Sequence, residues 1–531
     1  MRADESVVAR TLDPQTGEAL ALPIDALLVD ARVLGRVAEV ELSWVISNPF
    51  ERAIVVELEL PLGAWTLLDH AIEVGDRPLH DAIVGREEAL AFQAAATLAK
   101  VEPRDASSFR RSADEVEEVL PGESLTLTLT LVRELESEAG RTTLTLPGPS
   151  GCAEFELALR LETGLPLREL DSPTHAIATT SLAGVTHVQH VALREPASAS
   201  NPGREFEVSW TLAADQPQAA LVVDPDGWFA LLVEPPMHAD PTRAIPRELL
   251  WLVDDPDDDP DDAPDDAPES IEALVLRRTI AGLREGDALG HDITHEPERL
   301  RIALLPRELP LSTPLGQDTR VFGLASNSAS DRHVALVEAL PRLGRGGGVV
   351  QRPSESELEL AERFHDRIAL PLLVDLELDG VEGGPLVDLF AGHPLLVKGQ
   401  LRAPLGPVIL RGRDFAGPIE LGVRVETTRI ESRGLAAIWA LDEIDALLGL
   451  PGRGRCFDEG RDARALALAL EHRLLTPITC AVGVIEEASL PVRASLRQPS
   501  CDMTRSFEID ANPTEPFREL DPWKLWNAES G

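Results

Sequence analysis

Residues 247–266 read Arg247-Glu-Leu-Leu-Trp-Leu-Val-Asp-Asp-Pro-Asp-Asp-Asp-Pro-Asp-Asp-Ala-Pro-Asp-Asp266. An apolar run, Leu249–Val253, passes directly into a tract of nine aspartates and three prolines between Asp254 and Asp266. A short apolar run bounded by turn residues reads as a fully buried strand. Open α/β sheets bind their ligands just beyond the carboxyl ends of such strands. Asp254 therefore stands where a metal-ligating carboxylate would stand. The residues that follow it decide what kind of domain this is.

Downstream of the tract, Ile271, Leu274, Val275, Ile280 and Leu283 follow a helical period. Two apolar strands, Leu300–Leu305 and Arg320–Leu324, come next, then a helix over Asp331–Leu340 and the glycine run Gly346–Gly348. Strands alternating with helices predict a doubly wound α/β sheet. The segment spans about 100 residues, the short end of the ~100–200 typical of a domain.

Upstream, 20–150 reads mainly as β. Val37–Ile46 and Ile54–Leu60 alternate in part, and Ser124–Leu131 alternates strictly, with Leu125, Leu127, Leu129 and Leu131 on one face. That period of two describes a half-buried antiparallel strand. Glu87–Lys100 is Ala-rich and free of Gly and Pro, which predicts a helix. Short strands continue through 152–235, at Phe155–Leu161, His187–Leu193, Glu205–Leu212 and Trp228–Val233. After 355 the chain mixes types. Helices are expected over Glu355–Ile368, Leu435–Leu448 and Arg464–His472, and strands over Leu372–Leu378, Leu395–Leu401, Gly422–Glu426 and Thr479–Ile485. The tail after Ala494 reads as loosely structured.

A chain of 531 residues needs more than one core. The formal net charge of −42 argues against nucleic acid, whose phosphates call for Lys and Arg, and against an anionic membrane surface. It allows a basic protein partner. Tyrosine is absent, which removes every tyrosine-based mechanism. The four cysteines, Cys152, Cys456, Cys480 and Cys501, form no Cys-x-x-Cys pair, so zinc and redox motifs are unsupported. Free thiols favour a reducing compartment. The first 20 residues lack a basic n-region and an apolar h-region, and no run reaches the ~18 apolar residues of a membrane span. The expectation is a cytoplasmic protein.

Several short motifs occur in a fixed order: Trp44-Val-Ile-Ser-Asn48-Pro-Phe50, Leu60-Pro-Leu62, Leu120-Pro-Gly-Glu123, Ser172-Pro-Thr-His175 and Asp226-Gly-Trp-Phe229. Asp388-Leu-Phe390-Ala-Gly392, Ile438-Trp439-Ala440 and Leu475-Thr476-Pro-Ile-Thr479 follow. Taken together, over roughly 18–490, they resemble the heavy-chain family of inter-alpha-trypsin inhibitor and its bacterial relatives. That family joins a vault/inter-alpha-trypsin (VIT) domain to a von Willebrand factor A domain. The resemblance implies structural roles for Asn48, Ser172, His175, Phe390, Trp439, Thr476 and Thr479. It also implies that the helix Leu435–Leu448 packs back on the β-region.

The departures from the family are sharp. A metal-competent A domain carries Asp-x-Ser-x-Ser after its first strand, and a distant Thr and Asp complete an oxygen shell suited to Mg²⁺. Here the matching stretch is Asp254-Asp-Pro-Asp-Asp258, so Pro256 and Asp258 replace the two serines. The strand Arg301–Leu305 runs into Pro306-Arg-Glu308, where the family has Thr-Asp-Gly. The stretch between Gly290 and Glu298 is too short for the element carrying the Thr ligand. The sheet is expected to persist without a working metal site.

Other candidate chemistry weighs less. Calcium loops bend at a Gly that the Asp-Asp-Pro repeats lack, and such repeats favour an extended, self-repelling chain. A weak Mg²⁺ or Ca²⁺ site, if one is rebuilt, would use Asp254, Asp255 and Asp258; contact with a basic partner would fall to Asp257, Asp258, Asp259, Asp261 and Asp262. His291 and His295 have zinc-like spacing but are bracketed by Gly290 and Pro297. His175 has no Gly-x-Ser-x-Gly elbow to serve as a base for. Gly344-Arg-Gly-Gly-Gly348 lacks the Lys-Ser/Thr ending of a phosphate loop and reads as a connector.

The expectation is an α+β multidomain protein. It has an antiparallel, sandwich-like VIT region at 1–150 and a β-rich extension at 151–240. A degenerate A-like α/β domain with an acidic loop at 254–268 occupies 241–350. A β/α region at 351–490 and a tail at 491–531 complete the chain. The expected function is non-enzymatic interaction or scaffolding with an unidentified protein partner, needing no cofactor. The alternatives are divalent-cation-dependent adhesion through residues 254–266, and a hydrolase built on His175.

Overall fold

The computed structural model describes residues 8–12, 19–59, 65–75, 77–85, 113–138, 140–148, 152–181, 188–196, 205–251, 271–284, 287–290, 299–305, 319–327, 329, 333–334, 337, 346–352, 355–379, 381, 386–401, 406–428, 432–448, 459–476, 478–484 and 496–497. Over these residues the architecture is α+β with several sheets. The Ala-rich stretch 87–100, the whole tract 254–266, His291, His295 and Pro306–Glu308 lie outside the described residues.

Ten strands form the largest sheet. In spatial order they are Ala178–Ser181, Val188–Pro196, Cys152–Glu162, Ile24–Leu34, Val37–Ser47, Ser124–Glu134, Thr66–Val74, Arg77–Gly85, Thr479–Val484 and Leu496–Arg497. The Leu/Thr alternation behaves as the period of two requires: Leu125, Leu127, Leu129 and Leu131 are buried, and the intervening Thr residues are half-buried on the other face. Two four-stranded sheets share its core. One holds Val8–Leu12 and Ile54–Glu59; the other holds Arg141–Leu146 and Phe206–Leu212. This is a β-sandwich. Within 1–150 every described strand pair is antiparallel, and Cys152–Glu162, from the expected extension, adds parallel to Ile24–Leu34. Of the tail after Ala494, Leu496–Arg497 lies within the described residues and pairs with Thr479–Val484.

A seven-stranded sheet follows the order Leu389–Phe390, Pro371–Asp379, Ile409–Asp414, Gly417–Thr427, Gln218–Val223, Trp228–Glu234, Leu395–Gln400. Strands from 218–234 are thus hydrogen bonded to strands from beyond 370.

The segment after Arg247 forms a five-stranded sheet in the order Ala288–Gly290, Arg247–Trp251, Leu300–Leu305, Arg320–Ala325, Gly347–Val350, and every pair is parallel. Helices α1 (Ile271–Ala281) and α2 (Glu357–Ala369) share its core with Phe322, Leu324 and Val349. A capping box of Ser356 and Glu359 starts α2. The glycine run is not the expected connector, because Gly347 and Gly348 are strand residues. A Cβ on Gly348 would lie 2.0 Å from the Val337 carbonyl oxygen, so only glycine lets this strand approach the neighbouring helical residues.

Helices α3 (Arg433–Leu448) and α4 (Glu459–Glu471) form a separate core with Leu34, Val37, Val132, Val222 and Ala230. The expected packing of this helix on the β-region is therefore present. Glu39 of the large sheet accepts from Ser432 Oγ (2.9 Å) and the Gly434 amide (2.8 Å), placing a carboxylate at the amino end of α3. Among the described residues no helix is long and apolar enough to cross a membrane.

Candidate interaction site at the carboxyl edge of the parallel sheet

The chain runs from Arg247–Trp251 to Ala288–Gly290 on one side, then returns to Leu300–Leu305 on the other. The topological switch point lies between Arg247–Trp251 and Leu300–Leu305, at the end of the strand that feeds the aspartate tract. Doubly wound sheets bind ligands in the crevice outside the carboxyl ends at such a point. Asp254, Asp255, Asp257, Asp258, Asp259, Asp261 and Asp262 begin three residues beyond Trp251 and lie outside the described residues.

The last two strands end in a closed polar network. The Gln351 amide donates to the Ala325 carbonyl (2.8 Å), and Gln351 Oε1 accepts from the Asn327 amide (2.7 Å). Arg363 grips Glu355 through Nε (2.7 Å) and Nη2 (2.6 Å), and this bond holds the Glu355 carboxyl below its usual range. Arg352 meets Glu136 (3.4 Å) and Glu138 of the sandwich. Burial opposes the Arg352 charge, but the bond to Glu138 and the neighbouring carboxylates outweigh it and raise the guanidinium pKa.

The amino edge is built differently. Arg247 is fully buried; its Nη2 (2.6 Å), Nε (3.1 Å) and backbone amide (2.8 Å) all donate to Asp287. Its Nη1 and Nη2 also reach the carbonyls of Ile368 (3.0 Å) and Gly282 (3.1 Å). Burial works against the Asp287 charge, yet the bonds from Arg247 and Arg284 hold its carboxyl below the usual range. Two strands further along, Arg320 donates to Asp388 (2.6 Å) and Asp375 (2.5 Å), joining the parallel sheet to the seven-stranded one. Sequence reading missed Arg247 and Arg320; the available signal was a charged residue at the head of each buried strand.

The residues of the short sequence motifs do not converge. Asn48 accepts from the Phe50 amide (2.9 Å) and donates to the Val119 and Arg52 carbonyls (both 2.8 Å), which ties a turn to a strand 71 residues away. Ser172 Oγ donates to the Glu207 carbonyl (2.5 Å), and the Glu207 amide donates to Thr174 Oγ1 (2.9 Å). His175 Nδ1 lies 2.8 Å from that same Thr174 hydroxyl. Its buried ring sits between Phe155 and Phe206, at centroid distances of 6.4 and 5.5 Å. The hydroxyl beside His175 is already committed to backbone, so the arrangement locks a turn.

Phe390 is buried edge-on to Phe322 (5.4 Å) beneath the parallel sheet. Trp439 packs on Trp228 (5.0 Å). Thr479 Oγ1 donates to the Leu474 carbonyl (2.7 Å) and accepts from the Thr476 amide (2.8 Å), turning the chain from α4 into its last long strand.

No known family profile matches the chain, and no curated protein matches it. Among solved structures, a "putative nutrient binding protein" of Legionella pneumophila aligns at 8% identity and a TM-score of 0.22, over 39% of this chain and 72% of that one. A "putative protease" of Parabacteroides distasonis aligns at 10% identity and a TM-score of 0.20, over 75% of this chain and 71% of that one. Similarities this low carry no functional weight.

Proposed function

We propose that the chain is a non-enzymatic interaction or scaffold protein of the cytoplasm. It combines a VIT-like β-region, a shortened A-type sheet without a working metal site, and a carboxyl-terminal β-plus-helix region. One observation carries the reading: an all-parallel sheet has its switch point at the strand that leads into Asp254-Asp-Pro-Asp-Asp258. An A-type site at that place needs two hydroxyl ligands, and the sequence offers Pro256 and Asp258 instead. Partner capture then relies on protein surfaces and on charge, and the acidic tract suits a basic partner.

The test is thermal unfolding of the full chain in EDTA, then in Mg²⁺, Mn²⁺ or Ca²⁺ at matched ionic strength. The expected melting temperature is the same in all four. A saturable, ion-selective rise, approaching about 2.7 kcal/mol at a hundredfold excess over Kd, would overturn the reading. It would favour a divalent site on Asp254, Asp255 and Asp258.

A further inference from the structure

We propose that His393 is an acid-sensitive catch at the three-way junction of the parallel sheet, the seven-stranded sheet and the sandwich. Its neutral ring ties the loop 391–394 to α2, and protonation of that ring releases the loop. The loop connects Leu389–Phe390 to Leu395–Gln400, at opposite edges of the seven-stranded sheet. Two arginines hold it. Arg367 of α2 donates through Nη1 to His393 Nδ1 (3.1 Å), and Arg36 of the sandwich donates through Nη1 to the Pro394 carbonyl (3.0 Å). Arg36 also donates twice to the Leu135 carbonyl (2.9 and 2.7 Å). A guanidinium only donates, so Nδ1 must accept and the ring must be neutral.

The surroundings disfavour the imidazolium. Besides Arg367, the positive charge of Arg36 faces the ring, and only a hydrogen bond to the Asp366 backbone favours protonation. Around Arg36 stand Glu134 and Glu136 of the sandwich and Glu234 of the seven-stranded sheet. Lys398, on the strand after the loop, is held by Glu134 and Asp442 (both 2.6 Å). Burial and Arg367 push His393 down to about 3, against ~6.5 for an ordinary histidine. The closed-form value is the lower one. The closed junction is therefore favoured fully above ~6.5, and that advantage is lost as pH falls through the window from ~6.5 to about 3. Glu234 opposes this. Burial pushes it up to about 7, so its contribution is complete below the ordinary carboxyl value and is lost as pH rises towards 7.

The experiment is hydrogen exchange with mass spectrometry on the full chain between pH 7 and 5, corrected for intrinsic rates, in a Glu234→Gln background. Segment 386–401 should open roughly tenfold more per pH unit below ~6.5, while 124–134 stays unchanged. Adding His393→Asn, whose side-chain carbonyl can still accept from Arg367, should flatten that slope. A flat profile in Glu234→Gln, a slope that survives His393→Asn, or an equal slope over 124–134 would each overturn the proposal.

Discussion

The two ends of the parallel sheet use the same residue types to opposite effect. At the amino end, Arg247 and Asp287 have no exposed side-chain surface, and each nitrogen of the guanidinium has a partner. At the carboxyl end, Arg352 is 45% exposed and meets Glu136 and Glu138, which are 73% and 61% exposed. Charge buried without water must be matched atom for atom, whereas charge at the rim is screened and exchangeable. At Arg247 the sheet is sealed, and at Arg352 it is tethered to the sandwich by exposed charge.

Arg247→Met should break the sealed end outright. It strands Asp287 without its main counter-charge, and the expected loss is about 3–5 kcal/mol in urea unfolding. A loss under about 1 kcal/mol would mean that water reaches the pair and that the two ends are alike. Gly282→Ala tests the same end by volume. Its Cβ would fall 2.1 Å from Cε1 of the buried His365, so overpacking should cost about 1–3 kcal/mol. A further His365→Ala should recover part of that loss. Arg352→Ala should shift stability by no more than about 1 kcal/mol, with any effect shrinking in high salt. A larger, salt-resistant loss would show that the rim is also structural.

What the sequence made legible follows from where each constraint originates. Leu125 to Leu131 announced their strand because alternation is imposed by one buried face, a local pattern. Ile24–Leu34 has the same inward set, Leu27, Val29, Ala31 and Val33, but Leu28, 43% exposed, interrupts the contrast between faces. Gly347-Gly348 reads as a connector because the reason for it, the Val337 carbonyl, belongs to another element. Arg247 and Asp287 lie 40 residues apart, so neither announces the other. Arg36 and Pro394, 358 residues apart, are beyond any pattern of spacing. Asn48, Ser172 and Thr479 stand in short turns, where each side chain bonds to backbone two or three residues away.

The strand Thr479–Val484 lies against Arg77–Gly85 in the large sheet, with Thr479 opposite Gly85. On a ribosome moving at about 5–20 residues per second, these partners emerge roughly 20–80 s apart. For that interval Arg77–Gly85 has no neighbour on its outer side. The nascent sandwich must therefore wait with an open strand, a natural place for a chaperone to act. Truncation anywhere before Thr479 would leave that wait without an end.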